Sequence, residues 1–408
     1  MRRLAIYIYV CICMGMTLLM TGCTDNSYKG MMDEVIYEDN SLPIPVKIHI
    51  GTTESIISKG DGDIDDLMSW AGREFRVYAF SKDMFTSMET RSCEDRARCL
   101  IDGSVDDKND LGGKAAVMSE VSSLVEWQGN ETEIFYPTAS QSGVIYDFFA
   151  YYVDDAKVHD VYRGTETIDL RLEIDGTQDI MSSVAQVRDE QLAGFMDEKD
   201  RLYMEHYCYS YYSAQHGIDP VFTFRHHLAR LEFTITPAYN TTGRKDVMLK
   251  SIDVESLYLA MFTVASKNGN ESLGLLFDNE KEEGGVGGYR RLSLREADGS
   301  TLSDSTYTVQ TLSTPGSKPK SMKVGGCIMV APDREYDLYL MMSEKEVGGN
   351  DLTQAEPMRL HITAPDGFKA GNSYKVDLKI YGSMRVETSV EIMDWKEGED
   401  IIVDEDER

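Results

Sequence analysis

Residues 228–237 read LARLEFTITP. Leu231, Phe233 and Ile235 alternate with Arg230, Glu232 and Thr234, a period of two that gives a strand one apolar and one polar face. The same rhythm recurs on both sides. Upstream it is carried by PVKIHIG (45–51), FRVYAF (75–80), TEIFYP (132–137), VIYDFFAYYV (144–153) and PVFTF (220–224). Downstream it is carried by SIDVESLYLAMFTV (251–264), CIMVAP (327–332), YDLYLMMS (336–343), MRLHITAP (358–365), YKVDLKIYG (374–382) and VETSVEIMDW (386–395). Clusters such as GDGDIDD (60–66), NGNES (268–272), GGVGG (284–288) and GGNDL (348–352) separate these runs with turn chemistry. Strands spaced in this way predict an all-β chain of antiparallel sandwiches rather than βαβ winding. A little helix is expected within 182–202, where the apolar spacing is mixed, and long charged loops over 91–115 and 154–200.

Length and composition set the bounds. A chain of 408 residues is long enough for two or three domains with real cores. Its 41 Lys and Arg against 70 Asp and Glu give a formal charge of −29, which argues against nucleic acid as a partner and against adsorption to anionic lipid through a basic face. The natural domain break is the polar turn YNTTGRKD (239–246), dividing an N-terminal domain (44–242) from a C-terminal one (243–408).

The amino terminus carries its own message. Arg2 and Arg3 precede an apolar run over 4–20 (LAIYIYVCICMGMTLLM), and Thr21-Gly22-Cys23 leads into the polar stretch TDNSYKG. This is the layout of a bacterial secretory signal. The small residues before Cys23 are similar to a lipobox, so residues 1–22 are expected to be removed, Cys23 to carry lipid, and 23–43 to act as a tether. Four cysteines then remain, and Cys93 and Cys99 in RSCEDRARC (91–99) are spaced to close a small disulfide loop in an oxidising compartment.

Catalytic constellations do not emerge. There is no G-x-S-x-G and no H-E-x-x-H, and Gly112-Gly113-Lys114 lacks the rest of a phosphate loop. Asp61, Asp63 and Asp65 alternate as in a calcium loop, but Asp66 stands at the turn glycine and Gly72 where a glutamate is needed. His226 and His227 would point to opposite faces of a strand, one packed and one exposed, and so would not share a metal. No cofactor, metal or enzymatic activity is expected. The aromatic clusters FFAYY (148–152) and YCYSYY (207–212) leave a glycan-binding surface lipoprotein as the alternative function, with Tyr151 and Tyr211 as its stacking residues.

Taken in order, several segments resemble one family, the fimbrillins of Bacteroidales, which are subunits of type V fimbriae. The family pattern runs from a lipoprotein signal and an early strand through F-x-V-x-A-F/Y, Y-x-F-x-A-Y-Y and H-x-L-A-R-L-x-F to G-x-x-Y-x-V-x-L-x-I and V-x-I-x-x-W-x-x-G. Here these stand as Cys23, PVKIHIG, FRVYAF, YDFFAYYV, HHLARLEFTI, GNSYKVDLKIYG and VEIMDWKEGEDI. The resemblance implies two tandem transthyretin-like sandwiches and a lipid-anchored pilin at the outer membrane. It also implies assembly by donor-strand exchange: a trypsin-like protease removes the first strand and a strand from another subunit fills the groove. On this sequence the removable strand would be 45–51, with Val46, Ile48 and Ile50 entering the groove, and Lys59 would be the processing site where the family pattern has Arg. An uncut subunit would keep its lipid and serve as an anchor. The tail 396–408 (KEGEDIIVDEDER) would supply a donor strand through Ile401, Ile402 and Val403. Asp304-Ser305-Thr306 resembles the D-S/T-X acceptor of Bacteroidales O-glycosylation, making Ser305 a candidate, and a host or bacterial surface ligand is a further implied partner.

Overall fold

The computed structural model describes residues 42–51, 70–82, 99–102, 111–128, 133–137, 144–164, 166–195, 197–266, 273–278, 288–302, 307–314, 316, 318–349, 353 and 356–393. Strands are numbered in chain order. The first sheet runs β11 (Arg225–His226), β9 (Met181–Val184), β6 (Tyr146–Tyr152), β2 (Glu74–Ser81), β4 (Lys114–Met118) and β5 (Val125–Trp127), with β3 (Cys99–Ile101) also on β2. Beside it lies a short parallel pair, β1 (His49–Ile50) with β10 (Val221–Phe222). The second sheet runs β15 (Gly274–Phe277), β14 (Leu259–Ser266), β8 (Thr167–Glu173), β7 (Lys157–Arg163). The third runs β18 (Met322–Val330), β12 (Ala229–Pro237), β21 (Ser373–Gly382), β22 (Arg385–Met393). The fourth runs β16 (Tyr289–Ser293), β13 (Lys245–Leu257), β19 (Asp333–Glu346), β20 (Glu356–Phe368), with β17 (Thr308–Gln310) also on β13. The pairings are antiparallel except β1 with β10 and β12 with β21. Helix among the described residues is confined to α1 (Asp189–Leu192), α2 (Glu198–Tyr207) and α3 (Tyr211–Gln215).

Three cores follow from the alternation. On β2, Phe75, Val77 and Ala79 face an aromatic core that also holds Phe148, Phe222 and Phe224. The intervening Tyr78 and Phe80 face a second core, with Phe149 and Tyr151 from β6, closed by Ile168, Leu170 and Leu172 of β8 and Phe262 and Val264 of β14. A sheet buried on both faces needs apolar residues at both parities, which is why FRVYAF and YDFFAYY lose clean alternation. The third core lies between the third and fourth sheets and takes Leu231, Phe233 and Ile235, the residues of the opening alternation.

The structure differs from the sequence reading in four respects. The charged loop expected over 154–200 contains the β7–β8 hairpin and β9, because Ile168, Leu170 and Leu172 alternate with Asp169, Arg171 and Glu173. The single run 251–264 is two strands in different sheets, parted at Tyr258, whose N–H donates to the Gly288 carbonyl (3.3 Å) and whose carbonyl accepts from Ile174 N–H (2.9 Å). The boundary at 242/243 is crossed: β12 packs in the C-terminal core, and β14 from beyond the boundary pairs with β8 from before it. The polar turn 239–246 is therefore a connection within the C-terminal sandwich. Finally, His226 is not exposed: its ring packs against Asp179, with its Nδ1 2.8 Å from a carboxylate oxygen.

Candidate functional site: the seat of the first strand

Residues 44–51 lie between two walls distant in sequence. On one side the Val46 N–H donates to the Ile134 carbonyl (2.7 Å), Tyr136 N–H to Ile44 (2.9 Å), Val125 N–H to Ile48 (2.9 Å) and Ile50 N–H to Ser123 (2.8 Å). On the other, His49 N–H donates to Pro220 (2.9 Å) and Gly51 N–H to Phe222 (2.7 Å). A strand that pairs on both edges alternates its side chains across the mean plane. Val46, Ile48 and Ile50 accordingly sink into the aromatic core, at 6%, 1% and 2% exposure, while Lys47 stays in solvent. Three such side chains are worth roughly 1.5–3 kcal/mol each, a large share of the roughly 5–15 kcal/mol that holds a domain together.

Both ends of the segment are fastened. The Tyr211 hydroxyl donates to the Leu42 carbonyl (2.7 Å), while its ring packs in the aromatic core. At the far end the Arg188 guanidinium lies against Gly51, where any Cβ would collide with it, and donates to the Thr223 hydroxyl. His49 bonds Ser123 through Nδ1 (3.0 Å) and lies 3.7 Å from Asp219 through Nε2.

The floor is aromatic. Trp70 stacks tilted on Phe224 at 4.2 Å between ring centres, and Phe148 meets Tyr209 edge-on at 5.8 Å. The hydroxyls of Tyr136 and Tyr209 are buried there without a hydrogen-bond partner among the described residues, and burial raises both pKa values. Burial likewise pushes the Cys208 thiol up to about 11, so it stays protonated and inert at neutral pH.

Of the residues singled out from the sequence, Val46, Ile48 and Ile50 converge on this core. Cys23, Lys59, Cys93, Ser305, Ile401, Ile402 and Val403 lie outside the described residues, as does the acidic loop 60–66. Cys99 is disulfide-bonded, whereas Cys208 and Cys327 keep their thiols outside any disulfide. Tyr151 is fully buried and its hydroxyl donates to the Leu111 and Gly112 carbonyls (2.6 and 2.7 Å). With Tyr211 also buried, neither aromatic cluster offers these rings to a glycan, and both serve the core instead. His227 packs on Phe262 and shares a 2.7 Å hydrogen bond with Ser182; burial lowers its pKa to about 3 and keeps it neutral. No cluster of His, Cys, Asp or Glu suited to a metal occurs among the described residues. No helix there is long and apolar enough to cross a membrane.

The walls of the seat were not assigned from the sequence. TEIFYP and PVFTF carried the signal of strand, but nothing local says that both flank the segment 44–51. Arg188 and Asp219 carried no signal at all, since their roles arise only when residues far apart in sequence are brought together.

No family model matches the sequence, and no curated protein matches it. Solved structures do. A fimbrial protein from Bacteroides vulgatus is 11% identical, with 86% of this chain and 100% of that chain covered and a TM-score of 0.48. A protein from Bacteroides uniformis ascribed to cell adhesion is 13% identical, with coverage of 87% and 99% and a TM-score of 0.42. The fimbrial anchor protein Mfa2 from Porphyromonas gingivalis is 11% identical, with coverage of 87% and 98% and a TM-score of 0.33. The chain is an all-β protein of mostly antiparallel sheets, and its structural neighbours include Bacteroidales fimbrial and cell adhesion proteins.

Proposed function

We propose that this chain is a non-enzymatic subunit of a cell-surface fimbrium, held at the outer membrane by lipid on Cys23 and joined to other subunits by strand insertion. The observation that carries this reading is the seat of 44–51. Six backbone hydrogen bonds and three buried aliphatic side chains join one short segment to walls distant in sequence, so its loss would leave unpaired backbone around an open apolar slot. An extended segment with alternate apolar residues from a second subunit satisfies both needs at once. Such head-to-tail insertion is heterologous and builds open filaments. The tail 396–408, with Ile401, Ile402 and Val403, is the proposed donor. Cleavage after Lys59 by a trypsin-like protease would free the slot, and a chain left uncut there would act as the anchor. Cys93 is the proposed disulfide partner of Cys99, and Ser305 the proposed glycosylation site.

The test is limited trypsin treatment of soluble mature protein from Thr24 onward, read by intact mass and by detergent gel without boiling. Cleavage after Lys59 followed by a detergent-resistant ladder identifies a polymerising subunit. A chain resistant at Lys59 identifies an anchor that keeps its first strand. A version lacking residues 24–51 that stays monomeric, and gains no stability from a 396–408 peptide, sinks strand insertion for this protein.

A further inference from the structure

A second feature lies away from the first strand, where the second sheet meets the fourth. A cleft of about 550 Å³ opens there, within the range of small-ligand sites. Its base is Tyr258 and Leu259, the joint between β13 and β14, both half-buried. Tyr258 packs against two cores and is fixed by the backbone bonds already described, so its ring is pre-positioned. One wall is Arg290 of β16, whose guanidinium sits 5.5 Å from the centre of the Tyr258 ring and donates to Glu173 at 2.6 Å.

The opposite wall comes from the outward face of β7 and β8. The register slips between Val158 and Asp160, leaving His159 as an extra residue. Val158 and Val161 stay on the core side, whereas Lys157 and Asp160 pair with Glu173 and Arg171 on the outer side. His159 reaches Glu173 at 3.3 Å from the same side, the re-aiming of a side chain that a bulge provides. Glu173 is thereby a hub, holding Lys157 (3.5 Å), His159 and Arg290 in place. Arg171 is exposed and makes no ion pair among the described residues; it stands between Asp160 and Met261 on the neighbouring strands. Among the lining residues Arg171 and Arg290 balance Asp160 and Glu173, and Arg290 is taken up by Glu173, which leaves Arg171 as the lining arginine without an ion pair among the described residues.

We infer that this cleft binds a carboxylated sugar of an acidic glycan. The carboxylate meets the free fork of Arg171, a geometry suited to bidentate hydrogen bonding. The apolar face of the sugar ring lies on Tyr258 and Leu259, and ring hydroxyls bond Asp160 and His159. The inference stands apart from strand insertion, since it uses no residue of the first-strand seat.

The experiment titrates the full mature chain with sialyllactose, with an oligogalacturonate, and with lactose as the neutral counterpart, each at low and high salt by calorimetry. Saturable binding of one acidic sugar, weakened by salt and absent with lactose, is expected, and the preferred arm tells a sialate from a uronate. Arg171→Gln, at an exposed position, should weaken it by at least about tenfold, and Asp160→Asn should weaken it without changing thermal stability. No binding of either acidic sugar, equal binding of lactose, or unchanged affinity in Arg171→Gln overturns the inference. Formation of the detergent-resistant ladder should be the same in Arg171→Gln as in the parent, so failure here leaves strand insertion untouched.

Discussion

Ile48 shows what a single side chain does in this molecule. It is 1% exposed, and its carbonyl accepts from Val125 N–H while its side chain enters the aromatic core. Ile48→Ala should destabilise the chain by about 2–5 kcal/mol, the range for emptying a packed aliphatic site. Lys47→Ala, one residue away on the solvent side, should change stability by less than about 0.5 kcal/mol. Denaturant unfolding of both variants decides, and equal effects would mean the segment is not seated as described. His227 behaves in an opposite sense to a paired group. Its pKa falls from 6.5 to about 3 on folding through burial, helped by Arg225 and His226, so the unfolded chain takes up a proton that the folded one refuses. The stability tied to this residue is complete above about pH 6.5 and is lost as pH falls towards 3. His227→Asn should therefore flatten the acid limb of a stability–pH profile, and superimposable profiles would refute the buried neutral ring. Alternation in the sequence located Ile48, but not the packing of His226, because its partner Asp179 comes from a different part of the chain.

Elements were legible in proportion to how locally their reasons are written. The strands β2, β6, β12 and β21 follow their apolar runs closely, since each run buries at least one whole face, whereas β19 (Asp333–Glu346) extends past its run 336–343 at both ends. The break at Tyr258 was invisible for a definite reason. Ile252 and Val254 before it and Ala260 and Phe262 after it keep the same parity, yet the first pair faces one core and the second another. Periodicity reports which residues are buried, not against what. The hairpin β7–β8 was legible in Ile168, Leu170 and Leu172 but was masked by the acids around it. For the first strand, its removal should be visible in backbone protection. In a chain cut after Lys59 and freed of 44–51, the amides of Val125 and Tyr136 should exchange quickly with solvent. Those of β2 and β6 in the middle of the first sheet should stay protected. Loss of protection across the whole sheet would mean that the seat collapses on strand removal instead of remaining open for a donor.

At the scale of the whole molecule, the second sheet ties the halves together. Phe262 and Val264 from beyond residue 242 complete the core begun by Tyr78, Phe149 and Leu170. A fragment ending at 242 would expose that core, and a fragment starting at 243 would lack β12, an inner strand of the third sheet. Neither should fold alone, and the intact chain should unfold by heat in a single transition in which probes from both halves coincide. Two separated transitions would show that the shared sheet does not couple them. The same feature bears on force. If the proposed tethered filament forms, tension would enter near the amino terminus and leave through a neighbouring subunit. Because β8 and β14 lie antiparallel over seven paired positions across the middle of the molecule, the halves are buckled together rather than strung in series on one linker. Pulled apart, such a subunit yields in one abrupt rupture instead of paying out length half by half.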